Sequence, residues 1–129
     1  LKQAYTALYE SVAKVGDVQV RNRGTIGGSA AHADPAADIP APPLDPNATL
    51  VVEAPNGQRE ISADDFFIDI LTTALEPDEI LTQIKLPAGA GSSAYEKFAH
   101  PASGYAICGV AAVVGNGDPA IVIPAVQAI

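Results

Sequence analysis

The chain has 129 residues and a formal net charge of −8, and its apolar content of 48% is typical of one modest globular domain. With 15 Asp and Glu against 7 Lys and Arg, the charge argues against nucleic acid or an anionic membrane surface as the main partner. The chain contains one cysteine, Cys108, and no apolar run of bilayer length, which excludes an internal disulfide framework, a cysteine-ligated cluster and membrane insertion of these residues.

The first predicted element is an amphipathic helix that ends at Gly16. Apolar residues recur there at steps of three and four, namely Leu1, Tyr5, Leu8, Val12 and Val15. Val18 and Val20 then alternate with polar residues, which predicts a short strand. Residues 24–46 are rich in Gly, Ala, Pro and Asp and predict a long irregular segment, a kind of loop that tends to be functional or disordered.

A hairpin, a second helix and a strand are predicted next. Strand-forming residues 49–54 and 58–61 flank an Asn-Gly pair, which is a good hairpin signal. Ser62 followed by Asp65 resembles a capping box and predicts a helix over residues 63–73. Residues 80–86 predict a strand with two alternating faces. One face carries Ile80, Thr82, Ile84 and Leu86, and the other carries Leu81, Gln83 and Lys85.

The last third of the chain follows a Gly- and Ser-rich linker candidate, residues 87–93. Two apolar runs within residues 94–114 and a final run over residues 120–126 have the composition of strands or buried helices. The predicted fold class is α+β, with one unit over residues 1–88 and a second over residues 89–129. About forty residues are too few for an independent core, so the second unit is expected to be incomplete.

The strongest local feature is the Gly-rich segment over residues 24–29. Two consecutive glycines, Gly27 and Gly28, can bring several backbone N–H groups to one side and form an anion-binding nest. Hydroxyls in the segment and the nearby Arg21 and Arg23 would suit a phosphate or diphosphate. The same glycine pair also fits a tight turn without a ligand, and on spacing alone the turn is the more frequent case.

Other polar residues carry weaker signals. His32, Asp34 and Asp38 supply one imidazole and two carboxylates on a loop, which is a poor metal signature, and catalytic triads are assembled from distant positions. We therefore predict no metal site and no catalytic residue, and we expect Asp34 to form a turn. Cys108 is expected to be a small core residue and His100 a loop residue.

Segments along nearly the whole chain resemble one family in order and spacing. They are residues 19–29, 33–41, 63–67, 75–81, 84–87, 95–98, 102–107 and 109–112. Together they are similar to the FAD-binding medium subunit of molybdenum hydroxylases, the flavoprotein subunit of carbon monoxide dehydrogenase-like and xanthine dehydrogenase-like enzymes. The combination is specific, although no single segment is.

The resemblance implies a set of cofactor-binding residues. The loop from Thr25 to Ser29 would wrap the FAD diphosphate, which favours the nest. Asp38 would also contact FAD, and since a carboxylate repels phosphate, a ribose or ribityl hydroxyl is its sensible partner. Leu81 would lie against the cofactor through its backbone, and Lys97 near the flavin, where a cation stabilises the anionic reduced ring. The implied set is Thr25, Ile26, Gly27, Gly28, Ser29, Asp38, Leu81 and Lys97.

The family also implies a role and partners. A molybdenum cofactor in a large subunit would oxidise the substrate, and two 2Fe-2S clusters in a small subunit would pass electrons to FAD and on to an external acceptor. The resemblance thus implies a cytoplasmic oxidoreductase subunit. Two rival hypotheses are a non-catalytic assembly module that keeps the loop but binds no flavin, and a phosphate- or nucleotide-binding fold unrelated to flavin.

The resemblance has two gaps. In the family, a further subdomain with another Gly-rich loop precedes the matching segments and grips the other side of the dinucleotide, and the C-terminal domain runs past the residue that matches Ile129. The chain has no methionine and begins at Leu1, so we expect it to be processed, excised or part of a longer protein. As an isolated piece it is expected to bind FAD weakly or not at all and to be inactive. The chain also departs from the family pattern at residues 42–46 and at His100.

Overall fold

The computed structural model describes residues 5–39, 47–87 and 92–114, together with the backbone of residues 120–122. Its helices are α1 (Thr6–Lys14), α2 (Val18–Arg23), α3 (Ile26–His32) and the single-turn α4 (Ala63–Phe66). Its strands are β1 (Thr49–Ala54), β2 (Gly57–Ser62), β3 (Phe67–Asp69), β4 (Thr72–Thr73), β5 (Ile80–Lys85), β6 (Ser92–Ala99), β7 (Ala106–Val114) and β8 (Ala120–Val122). This mixture of helices and strands confirms the α+β fold class.

The first helix is confirmed over Thr6–Lys14, and its predicted start at Leu1 lies outside the described residues. The short strand predicted after it is wrong. The Asp17 carboxylate accepts hydrogen bonds from the backbone N–H groups of Gln19 and Val20, at 2.7 and 3.0 Å, so it caps a helix instead. The irregular segment predicted from residue 24 is also wrong over its first part, because α3 begins there. Thr25 caps α3 by accepting a hydrogen bond from the Gly28 N–H at 3.0 Å.

The hairpin is confirmed as β1 and β2, the first two strands of an antiparallel sheet with the order β2-β1-β5. Ala54 pairs with Gly57 across the two-residue turn. One face of this sheet and α4 enclose the first hydrophobic core. The core residues are Ala48, Leu50, Val52, Ile61, Ala63 and Phe66.

The helix predicted over residues 63–73 is wrong after its first turn. Ser62 caps that turn as expected, since its hydroxyl accepts a hydrogen bond from the Asp65 N–H at 3.2 Å. From residue 67 the chain forms the β3–β4 hairpin, which Leu71 turns with a φ of 54°. The Ala74 N–H donates to the Phe66 carbonyl at 2.8 Å and closes this hairpin. Of the apolar residues with a helical period, Phe66 and Phe67 pack in or against the first core, whereas Ile70 and Leu71 are exposed on the hairpin.

Strand β5 is confirmed, but the assignment of its two faces is wrong. At Thr82 the pairing with β1 includes one extra residue on β5, which is a β-bulge. Because the bulge breaks the alternation, Leu81 and Ile84 pack on the same core. Ile80, expected on the same face as Ile84, is 69% exposed.

The later strands form a second antiparallel sheet with the order β6-β7-β8, which decides between strand and helix for residues 94–114. Helix α1 packs on β6, with Ala7, Tyr95 and Ala111 as a small core. Most of the predicted linker and the end of the last apolar run, residues 88–91 and 123–126, lie outside the described residues. In the described part of the chain, no helix is long and apolar enough to cross a membrane.

Candidate functional site

A cleft with a volume of about 710 Å³ lies where the three N-terminal helices meet the second sheet. Its walls are the end of α1, the helix α2, the start of α3, the segment after α3 and the loop between β6 and β7. The lining includes Thr25, Gly28, Ser29 and Asp38, four of the residues predicted to bind cofactor. The fold therefore brings half of the predicted site residues into one concave surface.

The Gly-rich segment forms the first turn of α3. Gly57 and Gly104 are the glycines with positive φ among the described residues, so Gly27 and Gly28 have ordinary helical backbone and form neither a nest nor a tight turn. The start of a helix presents free N–H groups and the positive end of its dipole, so this arrangement still suits an anion. A Cβ atom at Gly28 would lie 3.0 Å from the Thr25 hydroxyl, so the glycine leaves room for the cap.

The other four predicted residues lie outside the cleft lining, namely Ile26, Gly27, Leu81 and Lys97. Ile26 is partly exposed, and a Cβ atom at Gly27 would lie 3.7 Å from the Leu81 carbonyl oxygen. The backbone of Leu81 thus faces α3, while its side chain packs on the first core. The contact of these residues with a cofactor stays a prediction.

The two arginines near the Gly-rich segment have different surroundings. The Arg21 guanidinium donates to the carbonyl oxygens of Val12 and Val15, both at 3.0 Å, and so stabilises the end of α1. The sequence allows either a phosphate or a subunit interface as the partner of Arg21, and this contact with the end of α1 adds a structural role. Arg23 lines the cleft and has no hydrogen-bond or ion-pair partner among the residues that the structure describes.

A tight turn after α3 carries Asp38 to the cleft. Ala33 ends the helix in the left-handed conformation, with a φ of 51°. The Asp34 carboxylate accepts a hydrogen bond from the Ala36 N–H at 2.8 Å, which confirms Asp34 as a turn former. Asp38 follows this turn and is only 7% exposed, although it lines the cleft.

Both carboxylate oxygens of Asp38 accept hydrogen bonds from β6. The Tyr95 hydroxyl donates to Oδ1 at 2.7 Å, and the Lys97 ammonium donates to Oδ2 at 2.7 Å. Lys97 also donates to the Lys14 carbonyl oxygen at 2.9 Å, and its side chain is 3% exposed. Burial and the hydrogen bond to Asp38 raise the pKa of the Tyr95 phenol well above its usual range, so Tyr95 remains a donor. Lys97 is therefore an ion-pair partner of Asp38 and is not itself part of the cleft lining.

Sequence reasoning missed Tyr95. Its partner Asp38 lies 57 positions away, and no local pattern connects the two. One usable signal is Gly109, which pairs with Lys97 in the middle of a strand, where glycine is unfavourable. A Cβ atom there would lie 2.6 Å from the Tyr95 hydroxyl oxygen, so the glycine marks the space that the aromatic ring occupies.

The remaining polar candidates, His100 and Cys108, lie outside the cleft lining. The His100 imidazole accepts backbone hydrogen bonds from Ala102 and Ser103, at 3.2 and 3.4 Å, which confirms it as a loop residue. Cys108 is half-buried on β7. Within the described ranges, no group of three or more His, Cys, Asp or Glu side chains is arranged to hold a metal ion.

Comparison with known proteins identifies the family. Residues 1–89 match the family described as "FAD binding domain in molybdopterin dehydrogenase". The chain belongs to this family. The resemblance noted in the sequence is thereby confirmed, and FAD is the cofactor that the family binds.

Curated relatives carry related names. The carbon monoxide dehydrogenase medium chain of Hydrogenophaga pseudoflava is 42% identical over 83% of this chain and 38% of its own length. The glyceraldehyde dehydrogenase medium chain of Sulfolobus acidocaldarius is 36% identical over 88% of this chain and 41% of its own length. The chain thus spans about two fifths of the length of these relatives.

Solved structures confirm the fold. A chain of carbon monoxide dehydrogenase from Hydrogenophaga pseudoflava matches with a TM-score of 0.80 and 39% identity, over 95% of this chain and 44% of that one. A chain of quinoline 2-oxidoreductase from Pseudomonas putida 86 matches with a TM-score of 0.79 and 33% identity, over 90% of this chain and 41% of that one.

Proposed function

We propose that this chain is the FAD-binding part of an electron-transfer subunit in a cytoplasmic, molybdenum-containing hydroxylase. A molybdenum cofactor in a large subunit and 2Fe-2S clusters in a small subunit would supply electrons, and an external acceptor would receive them. The names of the relatives, which include the medium chains of two dehydrogenases, support the enzyme class. The observation that carries the proposal is the cleft in which the start of α3 and Asp38 meet.

The residues of the cleft fit the two chemical parts of a dinucleotide. At the start of α3, the hydroxyl groups of Thr25 and Ser29 are donors for a diphosphate, and Arg23 adds positive charge. A carboxylate has about four lone-pair positions, and two on Asp38 are used by protein donors. Asp38 can therefore still accept a hydrogen bond from a ribose or ribityl hydroxyl.

The remaining predicted residues complete the proposed site. Ile26 and Gly27 contribute backbone N–H groups at the start of α3, and Leu81 contributes backbone groups from β5. The Lys97 ammonium contributes to the site by holding the Asp38 carboxylate in an ion pair. When bound, the flavin supplies the electron-carrying chemistry, and these residues hold and orient it. The division at residues 88 and 89, close to the end of the family match, is proposed as the boundary between two units.

The test is the flavin content of the protein purified at its encoded length. Gly28→Val places a branched side chain where a Cβ atom would already lie 3.0 Å from the Thr25 hydroxyl. We expect flavin content below about a tenth of the wild-type level, because the donor array at the start of α3 is lost. Gln58→Val, at an exposed position on β2, is the matched control and should keep its flavin.

Two outcomes would contradict the proposal. Unchanged flavin content in a folded Gly28→Val protein would remove the role of α3. A wild-type protein without a flavin band after incubation with excess FAD would favour the non-catalytic module instead.

A further inference from the structure

Asp38 is held in place by two donors from one face of β6. Tyr95 and Lys97 are two positions apart, so their side chains project to the same side of the strand. The two contacts to the separate carboxylate oxygens are equally short, at 2.7 Å. They fix both the position and the rotation of the carboxylate.

The position of β6 is itself fixed by α1. The Glu10 carboxylate accepts a hydrogen bond from the Tyr95 N–H at 2.7 Å, and the Lys14 ammonium donates to the Tyr95 carbonyl oxygen at 3.0 Å. On the neighbouring strand β7, Gly109 leaves space for the Tyr95 ring, since a Cβ atom at Gly109 would lie 2.6 Å from the phenol oxygen. Both the backbone and the ring of Tyr95 are therefore fixed in position, and the residue is only 2% exposed.

We propose that Tyr95 is a positioning residue for FAD: with Lys97 it holds the Asp38 carboxylate so that its unused lone pairs face the cleft. The proposal rests on the proposed function, and it adds a residue that does not itself line the cleft. A purely structural alternative is that Asp38 serves only as the counter-ion of the buried Lys97. The two readings differ in whether removal of the phenol oxygen changes FAD affinity through Asp38.

The experiment is a double-mutant cycle on FAD affinity. Dissociation constants for FAD are measured by flavin fluorescence with the protein at its encoded length, in wild type, Tyr95→Phe, Asp38→Asn and the double variant. We expect Tyr95→Phe to weaken binding about three- to tenfold, the effect of one lost hydrogen bond, and Asp38→Asn to weaken it by about ten- to a hundredfold. In the Asp38→Asn background, Tyr95→Phe should have no further effect, because its target is gone.

The controls separate positioning from stability. Tyr9→Phe, on an exposed part of α1 outside the cleft lining, should leave FAD affinity unchanged. If Tyr95→Phe does not fold, Lys97→Gln takes its place in the same cycle. An equal loss of affinity from Tyr95→Phe in both backgrounds would overturn the proposal, as would no loss in the wild-type background. A wild-type protein that binds no FAD would instead contradict the proposed function itself.

Discussion

Glu79 and Arg59 form a bidentate ion pair beside the first sheet. The guanidinium donates to both carboxylate oxygens, at 2.7 and 2.8 Å, and the Glu76 N–H donates to one of them at 2.9 Å. The hydrogen bonds from Arg59, followed by the one from Glu76, lower the pKa of Glu79 to about 2. Because the folded pKa lies below its ordinary value of 4.5, the pair stabilises the fold above pH 4.5 and loses this effect as pH falls towards 2.

We therefore predict that Glu79→Gln weakens the acid sensitivity of the protein. The free energy of unfolding of wild type should decrease between pH 4.5 and 2 by more than that of the variant, while at pH 7 the variant should be the less stable protein. Urea unfolding at pH 7 and at pH 3 measures both differences. Glu53→Gln, at an exposed position on β1, is the control. Parallel pH profiles for wild type and Glu79→Gln would contradict this prediction.

At the scale of single elements, the contact between β6 and β7 depends on a missing side chain. A methyl group at Gly109 would lie 2.6 Å from the Tyr95 hydroxyl oxygen and 3.3 Å from two ring carbons. We predict that Gly109→Ala destabilises the protein by about 1–3 kcal/mol, the usual cost of overpacking. In a Tyr95→Phe background the closest atom is absent, so the cost should fall below about 1 kcal/mol. Denaturant unfolding of the four proteins measures the difference, and an equal cost in both backgrounds would contradict the explanation.

The sequence predicted those elements whose signals are local. The Asn-Gly hairpin and the Ser62 cap each depend on residues within a few positions, and both were correct. The helix predicted over residues 63–73 failed because its apolar spacing also fits a hairpin, and the Leu71 turn has no strong sequence signal. The bulge at Thr82 could not be predicted from the sequence, because it follows from pairing with a strand about thirty residues earlier.

The candidate site could also be predicted only in part, because only local signals can be recognised in the sequence. The resemblance named the residues at the start of α3 and Asp38, and four of these line the cleft. It did not reveal that α3 is helical from Ile26 or that Lys97 pairs with Asp38 across 59 positions. Such contacts depend on the packing of α1 and β6, which no single segment encodes.

At the scale of the whole molecule, α1 belongs with the second sheet. Lys14 donates to the Tyr95 carbonyl oxygen and forms a salt bridge with Glu96 at 2.9 Å. We predict that Lys14→Met increases amide hydrogen exchange in α1 and β6 together and leaves β1 and β2 unchanged, since the first core has its own contacts. Lys85→Met, which removes an exposed pair with Glu60 on the first sheet, is the control. Faster exchange in β6 with unchanged α1 would contradict this prediction.

The residues that hold Asp38 at the cleft are far apart in the sequence, and this separation has a consequence for biosynthesis. Asp38 and its two donors are 57 and 59 positions apart, and Glu10 meets the Tyr95 amide across 85 positions. Chains emerge from the ribosome N-terminus first, and contacts of high sequence separation form late. The helices that bear the Gly-rich segment are therefore translated well before β6, and the cleft is assembled only once that strand has been made. Under the proposed function, we expect FAD binding through Asp38 to be a late event in the maturation of the protein.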